Sequence, residues 1–139
     1  MKPLVALLLA IAPLTTAPLA AQGPVKWEHD LQSALKRAKA EKKLIFMDLW
    51  TEWCPPCQYL QKSVFPSPEG QAALQRMVPF SALVEKKDRT PVPEGMKLAQ
   101  QFGLEAYPTM VILDADGKEV RRQVGAFRSG ADFAAWLAK

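Results

Sequence analysis

A chain of 139 residues is enough for one domain, and a composition 49% hydrophobic and 23% charged is that of a polypeptide that buries a core rather than one that stays disordered. The formal net charge of +4 is spread along the chain. With no dense Lys/Arg block it offers no footprint for nucleic acid, and EKK at 41–43 and EKKDRT at 85–90 read as solvated segments.

Residues 1–21 differ from the rest. Lys2 precedes an apolar run from Leu4 to Ala12 that gives way to Pro, Thr and Ala, and no further charge occurs before Lys26. This is the pattern of a secretory signal peptide, with cleavage expected after Ala21 or, second, after Ala20. A membrane-spanning helix needs about 20 apolar residues, and Pro13, Thr15, Thr16 and Pro18 interrupt this stretch. No cysteine follows the run, so a lipid-anchored cysteine is not expected. The expected organisation is a signal peptide at 1–21, a short linker at 22–27 and one domain at 28–139, periplasmic or otherwise exported, where disulfides persist.

In the domain, Leu31, Ala34, Leu35 and Ala38 recur at helical spacing between Glu28 and Lys43, with His29 or Asp30 at the helix start. LIFMDLW, 44–50, is apolar except for Asp48 and reads as a buried strand. A helix is expected from Cys54 to Val64, then a short one over EGQAALQRM. PFSALVE, 79–85, is a second strand; DRTPVPEG, 88–95, a loop; EGMKLAQQFGL a helix with Gly103 as its C-terminal cap. TMVILD, 109–114, is a third strand, DADG a turn, KEVRRQVG, 118–125, a half-exposed fourth strand, and SGADFAAWLAK a closing helix capped by Ser129. Buried strands alternating with helices, then a hairpin and a helix, predict an α/β fold with a mixed sheet covered on both faces and a helix ahead of the first strand.

The only two cysteines are Cys54 and Cys57, in WTEWCPPCQYL, 50–60. A structural zinc site needs four ligands, and beyond the two thiols the chain offers one histidine, His29, which reads as a surface residue. Haem attachment needs His directly after the second cysteine, where Gln58 stands. No metal or other cofactor is therefore expected. A static disulfide over so short a loop stabilises little. A redox-active pair belongs where a strand hands over to a helix, because a helix N-terminus stabilises a thiolate. The pair follows LIFMDLW and precedes a helical pattern. With Cys54 as N-cap, Pro55 and Pro56 occupy the first turn, where the helix does not use their missing N–H groups. Cys57 then falls at the third position, its own N–H within reach of the Cys54 sulfur. The prolines also withhold two donors from a Cys54 thiolate, leaving it less stabilised than in a site with free amides.

These residues resemble the thioredoxin superfamily. MDLWTEWCPPC matches its active-site segment through Asp48, Trp50, Trp53, Cys54 and Cys57, QFGLEAYPTMVILDADGKEV resembles the run through its cis-proline, and QVGAFRSGADFAAWL the closing strand and helix with Gly125 at the glycine position. The resemblance covers about 28–138. The leading helix and KSVFPSPEGQAAL are similar to the soluble C-terminal domain of the DsbD-type transmembrane reductant carriers. The sequence departs from thioredoxin in the Pro-Pro between the cysteines, in Gln58, in Lys62 where thioredoxin has a helix-kinking proline, and in lacking a clear equivalent of its buried lysine, Glu85 and Lys86 being nearby.

The resemblance implies a thioredoxin-like fold and an exported thiol–disulfide oxidoreductase, most simply a protein-disulfide reductase. Cys54 would be the exposed attacking nucleophile and Cys57 would resolve the mixed disulfide. Asp48, a carboxyl in an apolar strand, would carry a raised pKa and accept the Cys57 proton. Pro108 would be cis and, with Tyr107 and Trp53, would form the substrate-docking patch; Trp50, Phe46 and Trp136 would be core. The implied partners are proteins with disulfides or thiols and a transmembrane electron donor, and a monomer is expected. The alternatives are a disulfide oxidase or isomerase, or a thioredoxin-fold binding module with an idle cysteine pair.

Overall fold

Asp30, rather than His29, starts the first helix. Its backbone is extended, and its carboxylate accepts from the N–H groups of Gln32 and Ser33. The computed structural model describes residues 23–139, and the signal-peptide assignment lies outside them. Helix α1 spans Leu31–Glu41 and β1 Ile45–Thr51; α2, Pro55–Tyr59, runs into a π-helical turn at Leu60–Val64, followed by α3, Pro68–Leu74. Then come β2, Val78–Glu85; α4, Pro93–Gln101; β3, Thr109–Leu113; β4, Glu119–Val124; and α5, Gly130–Leu137. This is the expected element order, and the fold is thioredoxin-like.

The sheet order is β2-β1-β3-β4, with β1 parallel to β2 and antiparallel to β3, and β3 antiparallel to β4. Alternation along β1 sorts its side chains between two cores. Ile45, Met47 and Leu49 join Ala34 and Ala38 of α1 and Leu98 of α4 on one face. Phe46 joins Leu60, Val64, Leu74 and Phe133 on the other, beneath the π turn, α3 and α5. Asp48 shares the Phe46 face, opposite Ser81 on one neighbouring strand and Met110 on the other.

Three expectations change. The segment read as a linker is docked where it is described: Trp27 packs against Phe46 and Phe65 with ring centroids 6.1 and 5.4 Å away. Beside it, Glu28 exchanges backbone hydrogen bonds with Pro79 and Ser81, so the packed domain begins before Glu28. The helix expected over 54–64 widens at Leu60, where Phe65 N–H donates to the Leu60 carbonyl at 2.9 Å. That turn buries Leu60, Val64 and Phe65 together. Trp50 is half-buried, not core, and its indole N–H donates to Ser81 Oγ at 2.8 Å. Phe46 and Trp136 are core as expected, and His29 is exposed.

Helix α4 lies close on β2, and Gly95 permits it. A Cβ at Gly95 would run into the backbone carbonyl of Leu83. Gly95→Ala is expected to destabilise the fold by about 2–3 kcal/mol, since backbone on both sides must move. Gly23→Ala, where a Cβ meets only open space, is expected to be neutral. Urea unfolding of the two variants tests this, and equal midpoints would contradict the close approach.

Candidate active site

The C-terminal end of β1 delivers the cysteines. Cys54 is the N-cap of α2, with φ −84° and ψ 114°, Pro55 and Pro56 fill the first two helical positions, and Cys57 is third. Cys57 N–H donates to Cys54 Sγ at 3.3 Å, as the spacing predicts. The two sulfurs are joined in a disulfide, with Cα atoms 5.2 Å apart. Gln58 ties the turn down from both sides, its backbone N–H on the Cys54 carbonyl at 3.0 Å and its amide on the Glu52 carbonyl at 2.7 Å. The expectation of an exposed Cys54 needs correction: it is 4% exposed against 0% for Cys57. The difference keeps the expected order, but the fold leaves only a narrow approach to the first sulfur.

Asp48 is fully buried beneath the π turn. Its Oδ2 accepts from Gln61 Nε2 at 2.7 Å, and among the described residues its Oδ1 has no partner. Burial pushes its pKa up to about 8, against a smaller lowering by the Gln61 hydrogen bond. At neutral pH the carboxyl is thus mostly protonated but within reach of ionisation.

The Tyr107–Pro108 bond is cis. Thr109 pairs with Leu49 near the end of β1, which carries Pro108 and Tyr107 to the same end of the sheet as the cysteines. The Pro108 carbonyl accepts from Gly125 N–H at 2.9 Å, joining the start of β3 to the end of β4. Tyr107 meets Trp53 edge to face with ring centroids 6.2 Å apart. Its phenol is held above its ordinary pKa by burial first and by the Glu85 charge second.

Two further residues shape this rim: Glu85, which the sequence placed only near the position of the absent buried lysine, and Arg89, which it placed in a solvated run. Glu85 accepts the Trp53 indole N–H at 2.7 Å, and the Arg89 guanidinium lies 4.2 Å over the Trp53 ring. Arg89 has a positive φ of 67°. Its segment is pinned to the active-site turn by Lys87 N–H donating to Glu52 Oε2 at 2.8 Å. The sequence signal for Arg89 was only its place in EKKDRT, the charged run that begins at the end of the second strand. The structure therefore brings Cys54, Cys57, Asp48, Trp53, Tyr107 and Pro108 to one end of the sheet and adds Gln61, Glu85 and Arg89.

The profile of the thioredoxin-like domain family matches residues 31–139. The thiol:disulfide interchange protein DsbD of Klebsiella pneumoniae is 31% identical over 109 residues, 78% of this chain and 17% of that protein. The chain therefore spans less than a fifth of the length of that relative. A thioredoxin from Thermus thermophilus superposes with a TM-score of 0.69 at 29% identity, over 83% of this chain and 85% of the other. The oxidised C-terminal domain of Neisseria meningitidis DsbD superposes with a TM-score of 0.61 at 22% identity, over 81% and 97%; at that identity the likeness concerns the fold alone.

Proposed function

The chain belongs to the thioredoxin-like domain family, and from that premise we propose that it is an exported thiol–disulfide oxidoreductase that reduces protein disulfides. The observation that carries the reading is the placement of Cys54 as N-cap with the Cys57 N–H aimed at its sulfur. A helix N-terminus favours the thiolate that exchange requires.

In the reaction, the Cys54 thiolate attacks one sulfur of a substrate disulfide. A Cys54–substrate disulfide forms and the other substrate sulfur leaves as a thiolate. Cys57 then gives its proton to Asp48 and attacks Cys54 Sγ. The intramolecular disulfide forms, the second substrate sulfur leaves, and the substrate has gained two electrons from the dithiol. The half-buried rings of Trp53 and Tyr107 form the docking surface above Pro108, which is itself buried, and an extended substrate segment lies along the backbone beside it. Pro55, Pro56, Glu105 and Ala106 are exposed around it. The chain acts as a monomer, and a membrane-embedded dithiol donor reduces the spent disulfide.

Reduction is favoured over oxidation by the two prolines. The first two helical positions supply no N–H to a Cys54 thiolate, so the reduced form gains less from the helix end than in a strongly oxidising site. A titration against glutathione is expected to give a potential near that of thioredoxin, about −270 mV; a value near about −120 mV would instead identify an oxidase. A Cys54 in the reduced protein that resists alkylation at neutral pH would point to a binding module with an idle pair.

A further inference from the structure

Helix α2 and its π turn place one polar side chain, Gln61, on the buried carboxyl of Asp48. Cys57 and Gln61 are four positions apart, so they lie one above the other on a single helix face. The Gln61 contact shows that this face covers β1 at Asp48. Among the described residues no other polar group satisfies the carboxyl. Its cross-strand neighbours are Ser81, whose hydroxyl takes the Trp50 indole N–H, and the apolar Met110. Of the titratable side chains on α2 and the π turn, Cys57 is buried, whereas Tyr59 and Lys62 are exposed. Among the described residues, burial and the Gln61 hydrogen bond are the influences on the Asp48 carboxyl.

We infer that Gln61 is a positioning residue for the resolving step, fixing the Asp48 carboxyl through Oδ2 and leaving Oδ1 as the acceptor for the Cys57 proton. The inference rests on the reading of Asp48 as proton acceptor. An amide suits the task because it serves both charge states. Its Nε2 donates to the carboxylate, and after rotation its Oε1 accepts from the carboxylic acid. A lysine would hold only the anion and a methionine neither form. The π turn supplies the placement, since it buries Leu60 and Val64 while Gln61 still reaches β1. In the step itself, the Cys57 S–H proton passes to Oδ1. The Cys57 electron pair forms the bond to Cys54 Sγ, and the bond from Cys54 to the substrate sulfur breaks with its pair on the leaving thiolate.

Mixing the reduced protein with an aromatic disulfide, 5,5′-dithiobis(2-nitrobenzoate), separates the two steps. A first equivalent of coloured thiolate reports attack by Cys54 and a second reports resolution by Cys57. The second phase is measured by stopped flow from pH 5 to 10. Gln61→Met, which keeps the length of the side chain, is expected to move the rise of the second phase up by about one pH unit, about tenfold slower at pH 7, with the first phase unchanged. Gln61→Lys is expected to move it down. In an Asp48→Asn background neither change should have any effect. Gln61 variants that leave the profile in place, or that slow resolution equally with and without the Asp48 carboxyl, would overturn the positioning role while leaving the acceptor standing. An Asp48→Asn variant that resolves at the wild-type rate would remove the acceptor and the inference with it.

Discussion

Cys54→Ser is expected to abolish disulfide reduction, lowering turnover in an insulin-type precipitation assay by on the order of a thousandfold or more, because no other nucleophile stands at the helix start. The loss should be chemical and not a matter of folding. Serine is a good N-cap, and its hydroxyl can accept the Cys57 N–H that the sulfur accepts at 3.3 Å. Unfolding midpoints of the variant and the reduced wild type should therefore nearly coincide. Cys57→Ser is expected to behave differently. Attack by Cys54 remains possible, but the mixed disulfide has no resolving thiol, so one substrate chain accumulates on each protein as a band that thiol reagents release. Trapping of this kind also identifies the physiological substrates. Equal residual turnover in the two variants would reject a mechanism in which the cysteines have separate tasks.

Asp48→Asn is expected to stabilise the oxidised protein at neutral pH while slowing its resolving step. The carboxyl of the folded protein titrates at about 8 against 3.8 for the ordinary group. Between those values the unfolded chain has released a proton that the folded chain still binds. Unfolding is therefore favoured progressively as pH rises from about 4 to about 8, and the dependence levels off above. One pH unit corresponds to about 1.4 kcal/mol, so at pH 7 the wild type forgoes up to about 4 kcal/mol, and the asparagine variant should recover about 2–4 kcal/mol of it. At pH 4 the two should be nearly alike. Urea unfolding at several pH values measures the difference, and parallel stability profiles would show that the carboxyl is not held protonated by burial. A buried acid that weakens the fold where the protein works fits a group retained for proton transfer.

The cysteine turn was legible because its geometry is local. Proline lacks an N–H, a helix does not use its first N–H groups, and four residues therefore placed Cys54 at the cap and Cys57 at the third position. Asp48 was legible as an oddity, the one acid in an apolar strand. Pro108 and Tyr107 were reached through resemblance, since no local rule distinguishes their dipeptide from the chain's other X–Pro bonds. A helix start at His29 or Asp30, the strands, and a glycine, Gly103, that leaves α4 with a φ of 59° followed from periodicity and termination signals that act within a few residues.

Contacts between distant segments were not legible. Gln61 and Asp48 are 13 residues apart, and Trp53 and Glu85 are 32 apart. Their meeting depends on the parallel pairing of β1 with β2 and on a π turn that packing imposes on a helical pattern. Arg89 looked solvated because a charged run has no signal for stacking on a tryptophan, and Trp50 looked like core because hydrophobicity does not report an indole N–H seeking Ser81. By itself the sequence determined the element order and the place of the cysteine pair at a helix start, because hydrophobic period, capping and proline chemistry are properties of neighbouring residues. Only the tertiary structure decided what surrounds that pair, the single donor on Asp48 and the Glu85–Trp53–Arg89 rim, because burial and side-chain pairing exist only once remote segments are brought together.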